Sequence, residues 1–319
     1  MRKLIRCLYH NTIIRYILIC PAKKLYVRLY YIYHFHLIPD KIFIKQKFKK
    51  AFNYDLNLNN PKTLNEKIQW LKLNDRTPLH TLCADKYAVR EYVKEKIGEE
   101  HLIPLVYHTK KPTDIVPENL PDFPFIIKTN HDCSGGIIVR DKSKIDWKSV
   151  QKTLAKLLKQ NYYYPSREWQ YKNIKPRIIV EKLLMDKKGN IPFDYKLHCI
   201  ERKVEMIQID VNRGKPNHYR NWYNRYWKRE PYRWSSLKKE GLTDPSNNDI
   251  EKPISLEKMI KLSEILSGNF YYVRVDWYNI EGRLFFGELT FHHDGGLRPI
   301  LPTKWDRILG DLLKLPIKE

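Results

Sequence analysis

The chain lacks the cysteine pattern of a zinc site or a disulfide framework. Its five cysteines (Cys7, Cys20, Cys83, Cys133 and Cys199) are odd in number and scattered, with no C-x-x-C pair. That usage fits a reducing, cytoplasmic setting. No stretch approaches the ~20 apolar residues of a membrane-spanning helix. Arg2, Lys3 and Arg6 look like the start of a secretory leader, but Arg15 interrupts the apolar run, and Lys23, Lys24 and Arg28 follow soon after. There is no G-x-x-x-x-G-K-S/T, so the P-loop form is excluded. No internal repeat or low-complexity tract occurs. Acidic residues are scarce: 36 Asp+Glu stand against 59 Lys+Arg, a net charge of +23 over 319 residues. Such a surplus favours an anionic partner, whether nucleic acid, an acidic membrane surface, or a phosphate-bearing or acidic polymer, without choosing among them.

What is present begins with a basic N-terminal segment over 1–60. Leu4, Ile5, Leu8, Ile13, Ile14, Ile17 and Leu18 follow roughly helical spacing, as do Leu25, Leu29, Ile32 and Tyr33, with Lys and Arg between. Two readings stand: a helix lying on an anionic membrane, or a helical subdomain packed on the main body. A lead-in region over 61–124 follows. Thr63 and Glu66 have the spacing of a capping box, and a second helix is expected from Asp85 to Gly98. Prolines 104, 112, 117, 121 and 124 mark a boundary.

From 125 onward the pattern is strand and loop. A buried strand over 125–128 ends in Lys128, a polar loop leads to Gly135 and Gly136, and a strand follows over 137–139. Such a loop can bend its amides over phosphates; a plain turn is the other reading. A helix is expected over 147–160, strands over 177–184, 194–200 and 204–211, and a helix over 256–266. The Arg-, Tyr- and Trp-rich stretch over 213–234 reads either as a platform for stacking sugars or bases or as a loop wrapped over the core. Alternating helices and strands give an α+β or α/β class.

The most informative stretch is 271–296. It predicts a strand over 271–278, a turn over 279–282 and a return strand over 284–291. Residues two apart share a face of a strand, so Arg274 pairs with Asp276 in direction, and Glu288 with Thr290. If the hairpin aligns those faces, two carboxylates stand beside a guanidinium, which suits Mg²⁺ carrying nucleotide phosphates. A surface hairpin with solvated charges is the alternative. On the metal reading, an amide in place of either acid spares folding because carboxylate repulsion is relieved.

Taken in order, Asp85-Lys86, Lys128 with Gly135-Gly136, Glu181-Lys182-Leu183-Leu184, Asp194-Tyr195-Lys196, Arg274-Val275-Asp276 and Glu288-Leu289-Thr290 resemble the ATP-grasp superfamily. The stretch TLNEKIQWLKLNDRTPLHTLCADKYAVREYV and the closing WDRILGDLLKL resemble its TupA-like branch, associated with teichuronopeptide, capsule and other surface-polysaccharide biosynthesis. The resemblance covers roughly 61–315. It implies an α+β ATP-grasp fold, with a lid subdomain over 125–184 and a catalytic subdomain over 185–319 clamping ATP. It implies that Lys86, Lys128 and Lys196 contact phosphates, and that Gly135 and Gly136 form the closing loop. Glu181 would read the adenine amino group, with the backbone of Lys182 and Leu184 lining the base. Arg274 would steady the reacting species, and Asp276 and Glu288 would hold Mg²⁺. Thr290 stands where many ATP-grasp ligases carry Asn as a further metal ligand. His292, His293 and Asp294 could face the acceptor or simply be exposed.

The implied activity is ATP-dependent joining of a carboxylate to an amine through an acyl phosphate. The implied substrates are an acidic or amino-sugar polysaccharide precursor and an amine or amino acid. A glycosyltransferase of the same pathway is the alternative, and the absence of any D-x-D triplet counts against its metal-dependent form. A kinase of ATP-grasp form would act on a hydroxyl. A nucleic-acid-binding module is suggested by the charge alone and leaves the ordered acids and lysines unexplained.

Overall fold

A computed structural model of the protein describes residues 33–133, 135–212, 218–234 and 241–317, with further positions at 25–26, 29 and 237–238. The chain divides into two compact units, Met1–Gln46 and Lys47–Glu319. The apolar spacing expected over 4–18 lies outside the described residues. So does 213–217 of the aromatic stretch. In the first unit a single wide turn, Tyr33–Leu37, precedes the helix Asp40–Phe52, within which the division falls. Among the described residues no helix is long and apolar enough to cross a membrane.

The second unit is built on two antiparallel sheets. Strands β1 (Leu105–Thr109), β2 (Phe125–Thr129), β3 (Ile137–Val139) and β4 (Ile178–Lys182) form one, in the order β1-β4-β2-β3. Phe125, Ile127, Ile178 and Val180 point to one side of it, where Val150 and Leu154 of the helix Trp147–Leu157 cover them. Asp146 caps that helix by accepting from the Ser149 N–H at 3.1 Å. Alternation leaves Ile126, Lys128 and Glu181 on the other side.

The larger sheet contains β5 (Asp194–Ile200), β6 (Lys203–Val211), β7 (Tyr219–Tyr223), β8 (Tyr272–Ile280) and β9 (Arg283–Thr290), in the order β9-β8-β5-β6-β7. Leu197, Ile207, Val275 and Trp277 face the helix Leu256–Leu266 and form the main core. The opposite face is mixed. It buries Met206, Trp222 and Trp234 against Leu64 and Ile68 of the helix Leu64–Asn74. Along the rest of that face run Asp194, Lys196, His198, Arg274 and Asp276, cross-strand neighbours by register.

Local signals were accurate where their partners are close in sequence. The capping box forms: Thr63 Oγ1 accepts from Glu66 N–H at 3.2 Å, and Glu66 Oε2 accepts from Thr63 N–H at 3.0 Å. Other expectations are corrected. Asp85 ends the helix Pro78–Ala84 and caps the turn that follows, its Oδ1 accepting from the Tyr87 and Ala88 N–H groups at 2.8 and 3.3 Å, so the next helix begins later than expected, at Val89. The hairpin turn is the tight pair Glu281–Gly282, with φ of 51° and 88°, so both strands run longer than expected toward the turn. Of the described part of the aromatic stretch, Tyr219–Tyr223 is a strand of the larger sheet, and Trp222, Tyr223, Tyr232 and Trp234 are buried core residues, whereas Tyr226 is exposed. Strand β1 lies upstream of the proline boundary expected at 124, yet it completes the four-stranded sheet.

The chain closes on itself through Asp306 of the helix Lys304–Leu312. Its Oδ1 accepts from Asn65 N–H at 3.0 Å and its Oδ2 from Asn65 Nδ2 at 2.9 Å. Burial pushes this carboxyl up to about 6, and the hydrogen bonds from Asn65 do not offset it. Between about pH 4 and 6 the folded state therefore keeps a proton that the unfolded chain has released, so this group's contribution to stability falls as pH rises. Asp306→Asn should abolish that slope. In urea titrations, the stability of the natural chain relative to the variant should drop by roughly 2–3 kcal/mol from pH 4 to pH 7. A pH-independent difference would contradict the assignment.

Candidate active site

The hairpin β8–β9 carries a bulge. Val275 pairs with Leu289 and Trp277 with Phe286, so Gly287 and Glu288 together face the single residue Asp276. Gly287 is suited to the position: a Cβ there would lie 3.1 Å from Asp276 O. Beyond the bulge, Glu288 and Thr290 join the face that Arg274 and Asp276 occupy.

Arg274 ties this face together. Its Nε and Nη2 donate to Asp276 Oδ1 and Oδ2 at 2.6 and 2.7 Å. Nη2 also donates to Glu288 Oε1 at 2.8 Å, and Nη1 to His293 Nδ1 at 2.9 Å. Thr290 Oγ1 donates to Glu288 Oε1 at 3.2 Å. One guanidinium thus bridges two carboxylates. Burial pushes Asp276 up to about 6 in spite of Arg274 and Lys196. Burial acts the same way on Glu288, but there Arg274, Lys86 and Lys196 prevail and hold its carboxyl below the usual range. Of the two acids, Asp276 takes up a proton first.

Next along the face, Lys196 is held by Asp194 and, at 3.3 Å, by Asp210 Oδ2. Arg220 Nε donates to Asp210 Oδ1 at 2.8 Å, and His218 Nε2 lies 3.0 Å from the same oxygen. Burial alone would raise Asp210; His218, Arg220 and Lys196 outweigh it and keep the carboxyl ionised throughout the physiological range.

The smaller sheet presents Lys128, whose Nζ is 3.0 Å from Glu181 Oε2. Arg90 Nη1 lies 3.5 Å from the other oxygen of Glu181. Gly135 and Gly136 have φ of 86° and 88°, a conformation that favours glycine. Gly136 is also sterically required, since a Cβ there would lie 2.8 Å from Lys128 Cγ and 2.9 Å from Ile127 O. Lys86 hydrogen-bonds the carbonyl of Asp132 in the loop between β2 and Gly135, and its own N–H donates to Asn130 O at 3.0 Å.

Between the two sheets lies a cavity of about 840 Å³, lined by Lys128, Gly135, Lys182 and Leu184 on one side and Asp194 and Asp210 on the other. The structure thus gathers the expected residues into two clusters. Lys128, Gly135, Lys182 and Leu184 line the cavity, with Glu181 on the Lys128 ammonium and Gly136 against the Lys128 stem, whereas Arg274, Asp276, Glu288 and Thr290 share the adjoining sheet face with Lys196. Among the described residues no group of three or more His, Cys, Asp or Glu side chains is arranged to hold a metal ion. Two carboxylates on adjacent strands nevertheless suit Mg²⁺, which takes one or two protein carboxylates when phosphates supply the rest. Thr290 is bonded to Glu288, so it orients that acid.

Several members escaped sequence reasoning. Asp210, Arg220 and Arg90 reach the site from elements far apart in the chain. Asp194 alone carried a signal, at i−2 from Lys196 on one strand. His292 and His293 are buried rather than exposed: His292 Nδ1 lies 3.2 Å from Gln170 Nε2, and His293 meets Arg274.

The TupA-like ATP-grasp family profile matches residues 66–314. Among solved structures, the L-amino acid ligase from Bacillus licheniformis is 14% identical over 81% of this chain and 56% of that one, with a TM-score of 0.42. The D-alanine–D-alanine ligase from Bacillus anthracis is 14% identical over 66% and 57%, with a TM-score of 0.38. The enzyme of that name from Helicobacter pylori is 14% identical over 75% and 60%, with a TM-score of 0.40. The chain thus spans little more than half the length of these ligases. No curated protein sequence matches it.

The bridging role of Arg274 reverses one expectation about folding. Asp276→Asn removes the charge that neutralises a buried guanidinium, so it should destabilise by roughly 3 kcal/mol instead of sparing the fold. Glu288 is half-buried and makes one contact with Arg274, so Glu288→Gln should cost only about 1 kcal/mol. Urea unfolding of both variants checks the order; equal costs, or a gain at Asp276→Asn, would contradict the bridge.

Proposed function

The chain belongs to the TupA-like ATP-grasp family, and we propose that it is an ATP-dependent carboxylate–amine ligase acting on a cell-surface polysaccharide or its precursor. The fold is that of ATP-grasp enzymes, α+β throughout. The reading rests chiefly on the cavity between the two sheets, with Lys128 on one wall and the carboxylates holding Lys196 on the other.

On this reading the four-stranded sheet is the lid and the five-stranded sheet the catalytic floor. The adenine lies against Lys182 and Leu184, with Glu181 near its amino group. Lys86, Lys128 and Lys196 offset phosphate charge, and each is oriented by protein oxygens before nucleotide arrives. The Gly135–Gly136 loop closes over the phosphates. Asp276 and Glu288 would hold Mg²⁺, which supplies charge neutralisation at the phosphate oxygens. Four N–H groups of Arg274 are engaged by Asp276, Glu288 and His293. Among the described residues its second Nη1 N–H meets no acceptor and can serve the reacting species.

The chemistry is positional. The substrate carboxylate attacks the γ-phosphorus, ADP leaves, and an acyl phosphate forms. An amine then attacks the carbonyl carbon, loses a proton and expels phosphate, giving the amide. A closed lid keeps water from the acyl phosphate. The surplus of 59 basic over 36 acidic residues supports an anionic substrate such as a uronic-acid polymer. The exposed Leu25, Tyr26, Leu29 and Tyr33, set in a basic segment, support peripheral attachment to the inner face of an anionic membrane.

ATP with Mg²⁺ should raise the thermal midpoint by linkage, and Lys128→Met should reduce that shift. Product analysis with a candidate uronic acid and amine should give ADP, phosphate and an amide. A phosphoester with ADP would indicate a kinase. Stabilisation by a UDP-sugar but not by ATP would overturn the ligase reading in favour of a glycosyltransferase.

A further inference from the structure

Asp276 and Glu288 both hold Arg274, and both are the acids expected to turn toward a cation. A guanidinium held by these acids alone would lose its anchors when they turn. The third partner is His293, a neutral ring that a cation draws on far less. We propose that His293 is the positioning residue of this site: as the Nε2–H tautomer it accepts from Arg274 Nη1 through Nδ1 and fixes the guanidinium in place.

The geometry leaves little freedom. The Nη1 to Nδ1 distance is 2.9 Å, and arginine can only donate, so Nδ1 is the acceptor and the proton sits on Nε2. That Nε2–H has no hydrogen-bond acceptor among the described residues; Asp294 Oδ2 is 3.6 Å away. A buried donor left without an acceptor is unfavourable. Its persistence is explained if the tautomer is set by the other nitrogen.

The ring itself is fixed. His293 is buried, with Trp234 and His198 edge-on at centroid distances of 4.5 and 4.8 Å. Its backbone enters a turn in which Asp294, Gly295 and Gly296 have φ of 48°, 64° and 62°. Gln69 Nε2 donates to Gly295 O at 2.9 Å and to Gly296 O at 2.6 Å, and Lys72 Nζ donates to Gly295 O at 3.0 Å. The helix Leu64–Asn74 thus holds the turn, the turn holds the imidazole, and the imidazole holds Arg274. Burial, helped by the nearby positive charges of Arg274 and Arg220, favours the neutral ring.

The consequence for catalysis rests on the ligase reading; the orientation of Arg274 does not. The test uses nitrogen-15 NMR of the full chain without nucleotide. In the natural protein His293 should show the Nε2–H tautomer, and the Arg274 Nη groups should give separate, slowly exchanging lines. In His293→Leu, Arg274 Nη exchange should accelerate by about tenfold or more, because one of its three partners is gone. His293→Asn places an amide near the Nδ1 position and should restore slow exchange. An Nδ1–H tautomer in the natural protein overturns the proposal without any variant. So does unaltered Arg274 exchange in a folded His293→Leu, or His293→Asn behaving like His293→Leu. Failure to turn over ATP would count against the ligase reading and leave these results standing.

Discussion

Between Val275 and Trp277, strand β9 sets Gly287 and Glu288 against Asp276 alone. Pairing counted strictly from the turn, where Ile280 meets Arg283, would place Glu288 opposite Val275. That face packs against the helix Leu256–Leu266, and a glutamate there would enter an apolar core. The extra residue moves Glu288 and Thr290 to the face of Arg274 and Asp276. The pairing of Asp276 with Glu288 depends on that one-residue offset, since a slip of one flips every side chain beyond it.

Once both acids share a face, their charges must be managed. Arg274 serves both, and the site is polar but not strongly charged before nucleotide arrives. The same logic recurs across the cavity. Lys196 lies between Asp194 and Asp210, and Lys128 lies on Glu181, which also approaches Arg90. Each cation expected at a phosphate is thus oriented by protein carboxylates or carbonyls in advance. Such preorganisation lowers the reorganisation needed when phosphate charge enters. The overall basic surplus of the chain then acts at longer range, favouring approach of anionic partners.

How much of this was legible follows from distance along the chain. The helix Leu64–Asn74 was readable from Thr63 and Glu66, and Asp194–Ile200 and Leu256–Leu266 from periodicity, because those signals are local. The helix Pro78–Ala84 carries a start signal, Thr77 followed by Pro78, but its seven residues are too few for a helical period to register. The burial of Trp222 and Trp234 was hidden because their partners are Leu64, Ile68 and Ile300, far away in sequence. The pairing of Asp276 with Glu288 was readable as a possibility only. A glycine inside a strand pattern signals a bulge, and Gly287 was that signal. His293 could not be read as a partner of Arg274, because the turn that carries it is fixed by Gln69 and Lys72 more than 200 residues earlier.

The bulged hairpin is proposed to supply a paired-carboxylate site beside the cavity between the two sheets. The most direct measurement is a crystal structure with Mg²⁺ and a non-hydrolysable ATP analogue. Oxygens of both Asp276 and Glu288 should lie at ~2.0–2.1 Å from the metal, with Lys128 on the phosphates and the base between the two sheets. A nucleotide bound elsewhere, with Asp276 and Glu288 both still closed on Arg274 and no metal between them, would contradict it.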